Sequence, residues 1–135
     1  LRGQFSRAGD RLYVIHRSSP YLTVIDPLSL AVTARVYVGP GAAALKVDPQ
    51  TDRIYLARRG TGAIEVYDPL SFLPVDTILT EGDVSFLTID GEGNNLYLVL
   101  TDAGQVQVLR IVGKEITARA DVGDGPSRVA LVGER

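Results

Sequence analysis

The chain has 135 residues, of which 45% are hydrophobic and 22% are charged, and its formal net charge is -2. This composition predicts a folded chain, and the balanced charge gives no reason to expect binding to nucleic acid or a charged membrane surface. There is no cysteine, which excludes disulfides and thiolate metal sites, and no apolar run approaches the roughly 20 residues of a membrane-spanning helix.

One pattern of residues occurs three times at a spacing of 42. LYVIHRSSPYLTVIDP begins at Leu12, IYLARRGTGAIEVYDP begins at Ile54 and LYLVLTDAGQVQVLRI begins at Leu96. Chance would not keep one register through three copies, so we expect a fold of repeated units. The register divides the sequence into the end of a preceding repeat at 1–11, repeats at 12–53 and 54–95, and an incomplete third repeat at 96–135.

Each copy predicts four short β-strands. In the first copy, residues 32–38 form a rather polar fourth strand, which is typical of an edge that meets solvent. In the second copy, residues 64–68 alternate between two faces, as a third strand should. The fourth strand of that copy starts at Pro74, a position where an outer edge strand tolerates proline.

The third copy shows the first two strands most clearly. Residues 85–90 form a strand, residues 91–95 form a tight turn rich in glycine and asparagine, and residues 96–100 form a nearly all-apolar strand. Such a strand is expected to be buried on both faces. No segment shows a sustained helical period, so helix should be scarce.

Four antiparallel strands in roughly 40 residues, repeated in tandem, predict the blades of a β-propeller. The predicted fold class is therefore all-β, with about three and a quarter repeats that form a partial propeller or one completed by oligomerisation. An open end would expose a blade face whose apolar area is worth on the order of 10 kcal/mol when buried. We therefore expect either a longer propeller or self-association.

The residues resemble the YVTN-type β-propeller repeat. The likeness lies in LYVIH, in YLTVIDPLSLAVTARVYVG and in GAAALKVDPQTDR of the first copy, and it extends over essentially the whole chain. The second copy departs from it at Thr80-Glu81 and the third at Arg110-Ile111. The resemblance implies a bacterial or archaeal wheel of seven or eight blades that binds or scaffolds other molecules. It is the only argument for a periplasmic or cell-surface location, and the residues themselves leave localisation unknown. A related branch carries haem with histidine ligation.

Several motifs that superficially resemble catalytic or metal sites have a structural interpretation. Asp26 and Asp68 each precede a proline and are predicted to cap the turn that ends a strand. Residues 90–95 lack the spacing of a calcium loop and are predicted to form a hairpin turn. His16 is the only histidine, so no metal site and no cofactor is predicted, and haem ligation would require His16 at the channel mouth.

The best functional candidate is a surface of basic residues. In a propeller, the loops from second to third strand and from fourth strand to the next blade lie at one face. Arginine side chains at such a face suit carboxylate or phosphate groups. The predicted ligand-binding residues are His16, Arg17, Arg58, Arg59 and Arg128. The alternative is that Glu81, Asp83, Asp102 and Asp124, which belong to the same loops, pair with them.

The sequence thus favours a non-enzymatic binding or scaffold module that engages a protein or a small anionic ligand. No catalytic residue is predicted, because no cysteine nucleophile and no G-x-S-x-G elbow is present. One alternative is a cofactor-binding or enzymatic propeller whose active residues lie largely elsewhere. A second alternative is a purely structural repeat at the cell surface.

Overall fold

The computed structural model describes residues 2–123, which form three four-stranded antiparallel sheets. The first sheet contains β1 (Arg2–Phe5), β2 (Leu12–Ile15), β3 (Tyr21–Ile25) and β4 (Val32–Tyr37). The middle sheet contains β5 (Ala42–Val47), β6 (Ile54–Arg58), β7 (Ala63–Tyr67) and β8 (Pro74–Leu79). The third sheet contains β9 (Phe86–Ile89), β10 (Asn95–Leu100), β11 (Gln105–Arg110) and β12 (Glu115–Asp121).

The predicted fold class is confirmed. Within each sheet the strands pair in chain order, which is the meander of a propeller blade. The one helical element in the described part of the chain is a short 3₁₀ turn at Thr101–Ala103. Each sheet starts one strand before a sequence repeat does, so β1 comes from residues 1–11 and completes the first sheet.

The hydrophobic core lies in two layers, one between each pair of neighbouring sheets. The middle sheet contributes to both layers because successive residues of β6 point to opposite faces. Ile54 and Leu56 pack toward the first sheet, and Tyr55 and Ala57 pack toward the third. All four are buried, as the sequence predicted for the second strand of a blade.

Aspartate side chains cap the turns between the third and fourth strands. The Asp26 carboxylate accepts the N–H of Leu28 at 3.0 Å, and the Asp68 carboxylate accepts the N–H groups of Leu70 and Ser71 at 3.0 and 2.7 Å. The bonds from Ser71 and Leu70 hold the pKa of Asp68 below its ordinary value. The predicted capping role of both aspartates is confirmed.

The hairpin predicted between the first two strands of the third sheet is also confirmed. The N–H of Asp90 donates to the carbonyl of Asn95 at 3.1 Å, and the Asp90 carboxylate accepts the N–H of Asn94 at 2.8 Å. The carboxylate and amide side chains of this segment therefore stabilise the turn.

The outer face of the first sheet carries exposed aromatic residues. Phe5 is 57% exposed and Tyr37 is 65% exposed, and the ring of Tyr37 packs edge-on against Tyr21 at a centroid distance of 5.7 Å. Leu12 and Val14 of β2 lie on the same face and are half-buried. Between residues 2 and 123, no helix is long and apolar enough to cross a membrane.

Candidate functional site: an arginine-lined cavity

The loops that carry the predicted site residues lie along one edge of the three sheets. Antiparallel pairing places the β2–β3, β4–β5, β6–β7 and β8–β9 connections at the same end of the blades. The first strands of the blades are neighbours, since β5 contacts both β1 and β9. We call this end of the molecule the loop edge.

The loop edge contains a cavity of about 140 Å³ beside β1 and β5. Three arginine residues line it, from β1, from the β2–β3 loop and from the β6–β7 loop: Arg2, Arg17 and Arg59. Gly41, Ala43 and Ser85 also line it. We call this space the arginine cavity. It brings together two of the predicted site residues, Arg17 and Arg59.

Arg2 is the cavity residue that the sequence prediction missed. It belongs to the short segment before the first full repeat, and its equivalents at the 42-residue spacing are Ala44 and Phe86. No repeat pattern therefore indicates an arginine at this position. The available signal was the pairing of β1 with β2, which places Arg2 opposite Ile15, at the end of β2 just before Arg17.

The arginine cavity shares lining residues with two neighbouring spaces. One, of about 500 Å³, shares Arg2 and Arg17 and runs along β1. The other, of about 420 Å³, shares Arg59 and contains Asp83 and Asp102. The positive charge is therefore concentrated at the Arg2 and Arg17 end, while the Arg59 end also carries carboxylates.

Arg58 lies beside Arg59 in sequence but does not line the cavity. Its side chain is 12% exposed and forms an ion pair with Glu65 of β7. It also donates to the carbonyl of Pro40 at 3.1 Å, so it ties the β4–β5 loop to the middle sheet. Gly39 makes room for this contact, because a Cβ there would lie 2.9 Å from the Arg58 guanidinium.

The Arg58 pair includes a buried tyrosine. The hydroxyl of Tyr67 donates to Glu65 at 2.6 Å. Burial alone would raise the pKa of Glu65, but the bonds from Tyr67 and Arg58 outweigh it and hold that pKa below its ordinary value. Burial, together with the Glu65 carboxylate, raises the pKa of Tyr67 to about 12. Arg58 is thus committed to a structural network.

The other two predicted residues lie apart from the arginine cavity or outside the described residues. His16 is exposed, and its Nδ1 is within hydrogen-bond distance of the Ser18 hydroxyl at 2.9 Å and of the Ser18 N–H at 3.2 Å. Arg128 lies outside the described residues. In the range 2–123, no group of three or more histidine, aspartate or glutamate side chains is placed to hold a metal ion.

Two of the four acidic residues predicted at the loop edge, Glu81 and Asp83, have other partners, and Asp124 lies outside the described residues. Glu81 pairs with Arg119 of β12 and accepts the Gln107 amide at 3.1 Å, and Arg119 holds the pKa of Glu81 below its ordinary value. Asp83 accepts the backbone N–H of Gly60 at 2.9 Å. None of the four ion pairs found among residues 2–123 involves an arginine of the cavity.

This arrangement defines the chain as a set of β-propeller blades with a basic cavity at the edge where the inner strands meet. No protein-family model matches the chain, and the search of curated proteins gives no match. The fold is similar to that of Kuenenia stuttgartiensis hydrazine synthase, with a TM-score of 0.78 and 20% identity over 92% of this chain.

The similarity extends over only part of hydrazine synthase, since the aligned region covers 36% of that chain. In all, 714 chains of solved structures match this fold. A fold shared so widely does not specify an activity, which has to be argued from the site.

Proposed function

We propose that the chain is a non-enzymatic binding module, part of a YVTN-type propeller, that engages an anionic ligand or an acidic protein surface at the loop edge. The observation that supports this function is the convergence of Arg2, Arg17 and Arg59 on one cavity, with no ion pair from any of them to a carboxylate of residues 2–123. Arginine forks bind carboxylate and phosphate oxygens through paired hydrogen bonds.

The electrostatics of the edge support the same function. Glu65 is occupied by Arg58, and Glu81 is occupied by Arg119, so neither carboxylate neutralises the cavity arginines. The three arginines are solvent-exposed, so their mutual repulsion is screened and their attraction for an anion depends on salt.

A charge-matched comparison tests this function. Binding of a hexaglutamate peptide is measured by titration in low and in moderate salt, for the parent chain and for Arg17→Gln/Arg59→Gln. We expect this double variant to bind on the order of a hundred-fold more weakly, since hydrogen bonds to charged groups contribute about 1.5 kcal/mol or more each and two arginines are lost. The control is Arg35→Gln/Arg53→Gln, which changes the net charge equally at exposed arginines outside the cavity. Equal weakening by both double variants contradicts the proposal, and no binding of hexaglutamate by the parent contradicts its acidic-protein form.

A cofactor-carrying or enzymatic propeller is the second candidate, and it is supported only by the likeness to hydrazine synthase, whose name denotes an enzyme. The described residues do not fit a histidine-ligated haem in the arginine cavity, because His16 does not line it. We therefore derive no step through such a group.

We also propose that another blade of the same repeat covers the outer face of the first sheet, through self-association or within a longer propeller. Leu12 and Val14 on that face are equivalent at the 42-residue spacing to Ile54 and Leu56, which bury against a neighbouring blade. Light scattering after size exclusion measures the solution mass. A stable monomer of this chain would exclude self-association, and Val14→Asp should dissociate any oligomer that forms through this face.

A further inference from the structure

We infer that the arginine cavity is a binding site for a doubly charged oxyanion of the phosphate type, either inorganic phosphate or the phosphate group of a small ester. This inference rests on the proposed function and narrows its ligand. Three arginine residues from separate segments, β1 and two loops, line one space. Each guanidinium can offer two parallel N–H donors, so together they suit a ligand with several equivalent acceptor oxygens better than a single carboxylate.

The size of the cavity limits what it can hold. Its volume of about 140 Å³ corresponds to roughly four or five water molecules at about 30 Å³ each. A phosphate group with a short substituent is of this size. The cavity opens toward the space along β1 that shares Arg2 and Arg17, and a substituent on the ester would extend there.

The wall of the cavity is built from small residues. The pairing of β5 with β6 is irregular between Ala42 and Ala44, and Ala43, which lies at this irregularity, lines both the arginine cavity and its neighbour. Bulges of this kind are frequent beside binding sites, where they redirect a side chain. A larger side chain at Ala43 would take up the space that the ligand needs.

A backbone contact holds the loop that carries Arg59. The N–H of Arg59 donates to the carbonyl of Gly41 at 2.7 Å. Gly41 has a φ of +88°, and a Cβ there would lie 3.2 Å from the Arg59 carbonyl oxygen. The glycine thus allows two loops from different blade connections to meet at the cavity, which positions Arg59 before a ligand arrives.

The neighbouring carboxylates determine which end of the cavity the anion prefers. Asp83 and Asp102 lie at the Arg59 end, so a dianion is favoured at the Arg2 and Arg17 end. Neutralising Asp102, which is exposed, should strengthen anion binding by about two-fold, the size of a solvent-exposed charge interaction.

The experiment is a calorimetric titration of the whole chain with inorganic phosphate, compared with acetate at matched ionic strength. We expect phosphate to bind and acetate not to bind. Arg2→Gln and Arg17→Gln should each weaken phosphate binding about ten-fold, and Ala43→Leu should abolish it without any change of charge. Ala8→Leu is the control, because Ala8 is exposed in the β1–β2 turn at the opposite edge, and it should leave binding unchanged.

The outcomes separate this inference from the proposed function. In one outcome, hexaglutamate binding depends on Arg17 and Arg59, but phosphate binding is absent or insensitive to Arg2→Gln. This outcome overturns the inference and is consistent with the proposed function. In another outcome, phosphate binding needs all three arginines and hexaglutamate does not bind. This outcome overturns the acidic-protein form of the proposed function and supports the phosphate-binding site. Equal binding of acetate and phosphate overturns the dianion assignment. The exposed Arg2→Gln change provides a test even if Ala43→Leu fails to fold.

Discussion

The two layers between neighbouring sheets contain different polar groups at equivalent positions. Toward the first sheet, the middle sheet presents Arg58, Glu65 and Tyr67 as an ion pair with a buried hydroxyl. At the same repeat positions 42 residues later, the third sheet presents toward the middle sheet two leucines and one buried amide, at Leu100, Gln107 and Leu109. The apolar residues around these groups are similar in the two layers, since β6 and β10 both supply buried leucines.

The comparison shows that the same blade fold accommodates either an ion-pair network or a buried amide at these positions. Both arrangements affect the loop edge. In the first layer Glu65 binds Arg58 and keeps that arginine within the sheet. In the second layer Gln107 and Arg119 bind Glu81. Both arrangements pair a glutamate, Glu65 or Glu81, with an arginine outside the cavity, so the polar groups of each layer affect the charge of the site as well as the fold.

The largest expected effect on the free energy of unfolding comes from the buried leucines that the two layers have in common. Leu56 and Leu98 are equivalent residues of β6 and β10 that are 1% and 0% exposed. Replacing either by alanine should lower the free energy of unfolding by about 3 kcal/mol, because each change leaves a cavity in a packed layer. Val14→Ala, at the same position on the open face of the first sheet, should cost only about 1 kcal/mol. Urea unfolding measures all three, and a much smaller cost for Leu56→Ala would mean that the first layer depends on its ion pair.

A smaller effect is expected from breaking the ion pair on one side. Glu65→Leu leaves the largely buried Arg58 guanidinium without its carboxylate. Because Glu65 itself is 32% exposed, the change should cost about 2 kcal/mol. Replacing the whole network, with Arg58→Leu, Glu65→Leu and Tyr67→Phe together, should recover most of that loss, since no charged or hydroxyl side chain of the network is then left unpaired. A triple variant as unstable as Glu65→Leu would show that the charges contribute net stability.

The pH dependence of the free energy of unfolding provides a second test of the same network. Because the pKa of Glu65 is lower in the folded protein than its ordinary value, its contribution to stability is present above that ordinary value. The contribution is lost as the pH falls through the lower folded value. Urea titrations between neutral and acidic pH should therefore show a smaller loss of stability in the triple variant than in the parent.

The blade repeat could be predicted from sequence because strand patterning and turn residues recur at 42 positions. The separation of Arg58 from Arg59 was harder to predict. Arg58 is the last residue of β6, and its side chain therefore belongs to the sheet, where Glu65 lies on the neighbouring strand. Arg59 is the first residue of the loop and faces the cavity. The alternation of strand faces, with Glu65 and Tyr67 on the same side, was the available signal.

The smallest effect is expected at the buried amide of the second layer. Gln107 is 1% exposed, and its Nε2 donates to Glu81 and to Gln105, while its Oε1 is buried and accepts no hydrogen bond from any residue that the structure describes. Gln107→Leu removes the unsatisfied oxygen, which costs about 1–3 kcal/mol when buried, and it also removes the two bonds that Nε2 makes. Glu81 keeps Arg119 as its partner, so the two changes should offset each other to within about 1 kcal/mol.

Gln107→Ala is the matched control, because it removes the same polar atoms but leaves a cavity and should cost about 2 kcal/mol. If urea unfolding shows the leucine variant to be as unstable as the alanine variant, the amide contributes through its bonds. The second layer then depends on polar contacts as the first layer does, and the contrast between the two layers disappears. If the leucine variant matches or exceeds the parent, the polar contacts of Gln107 add no net stability, and the contrast between the two layers stands.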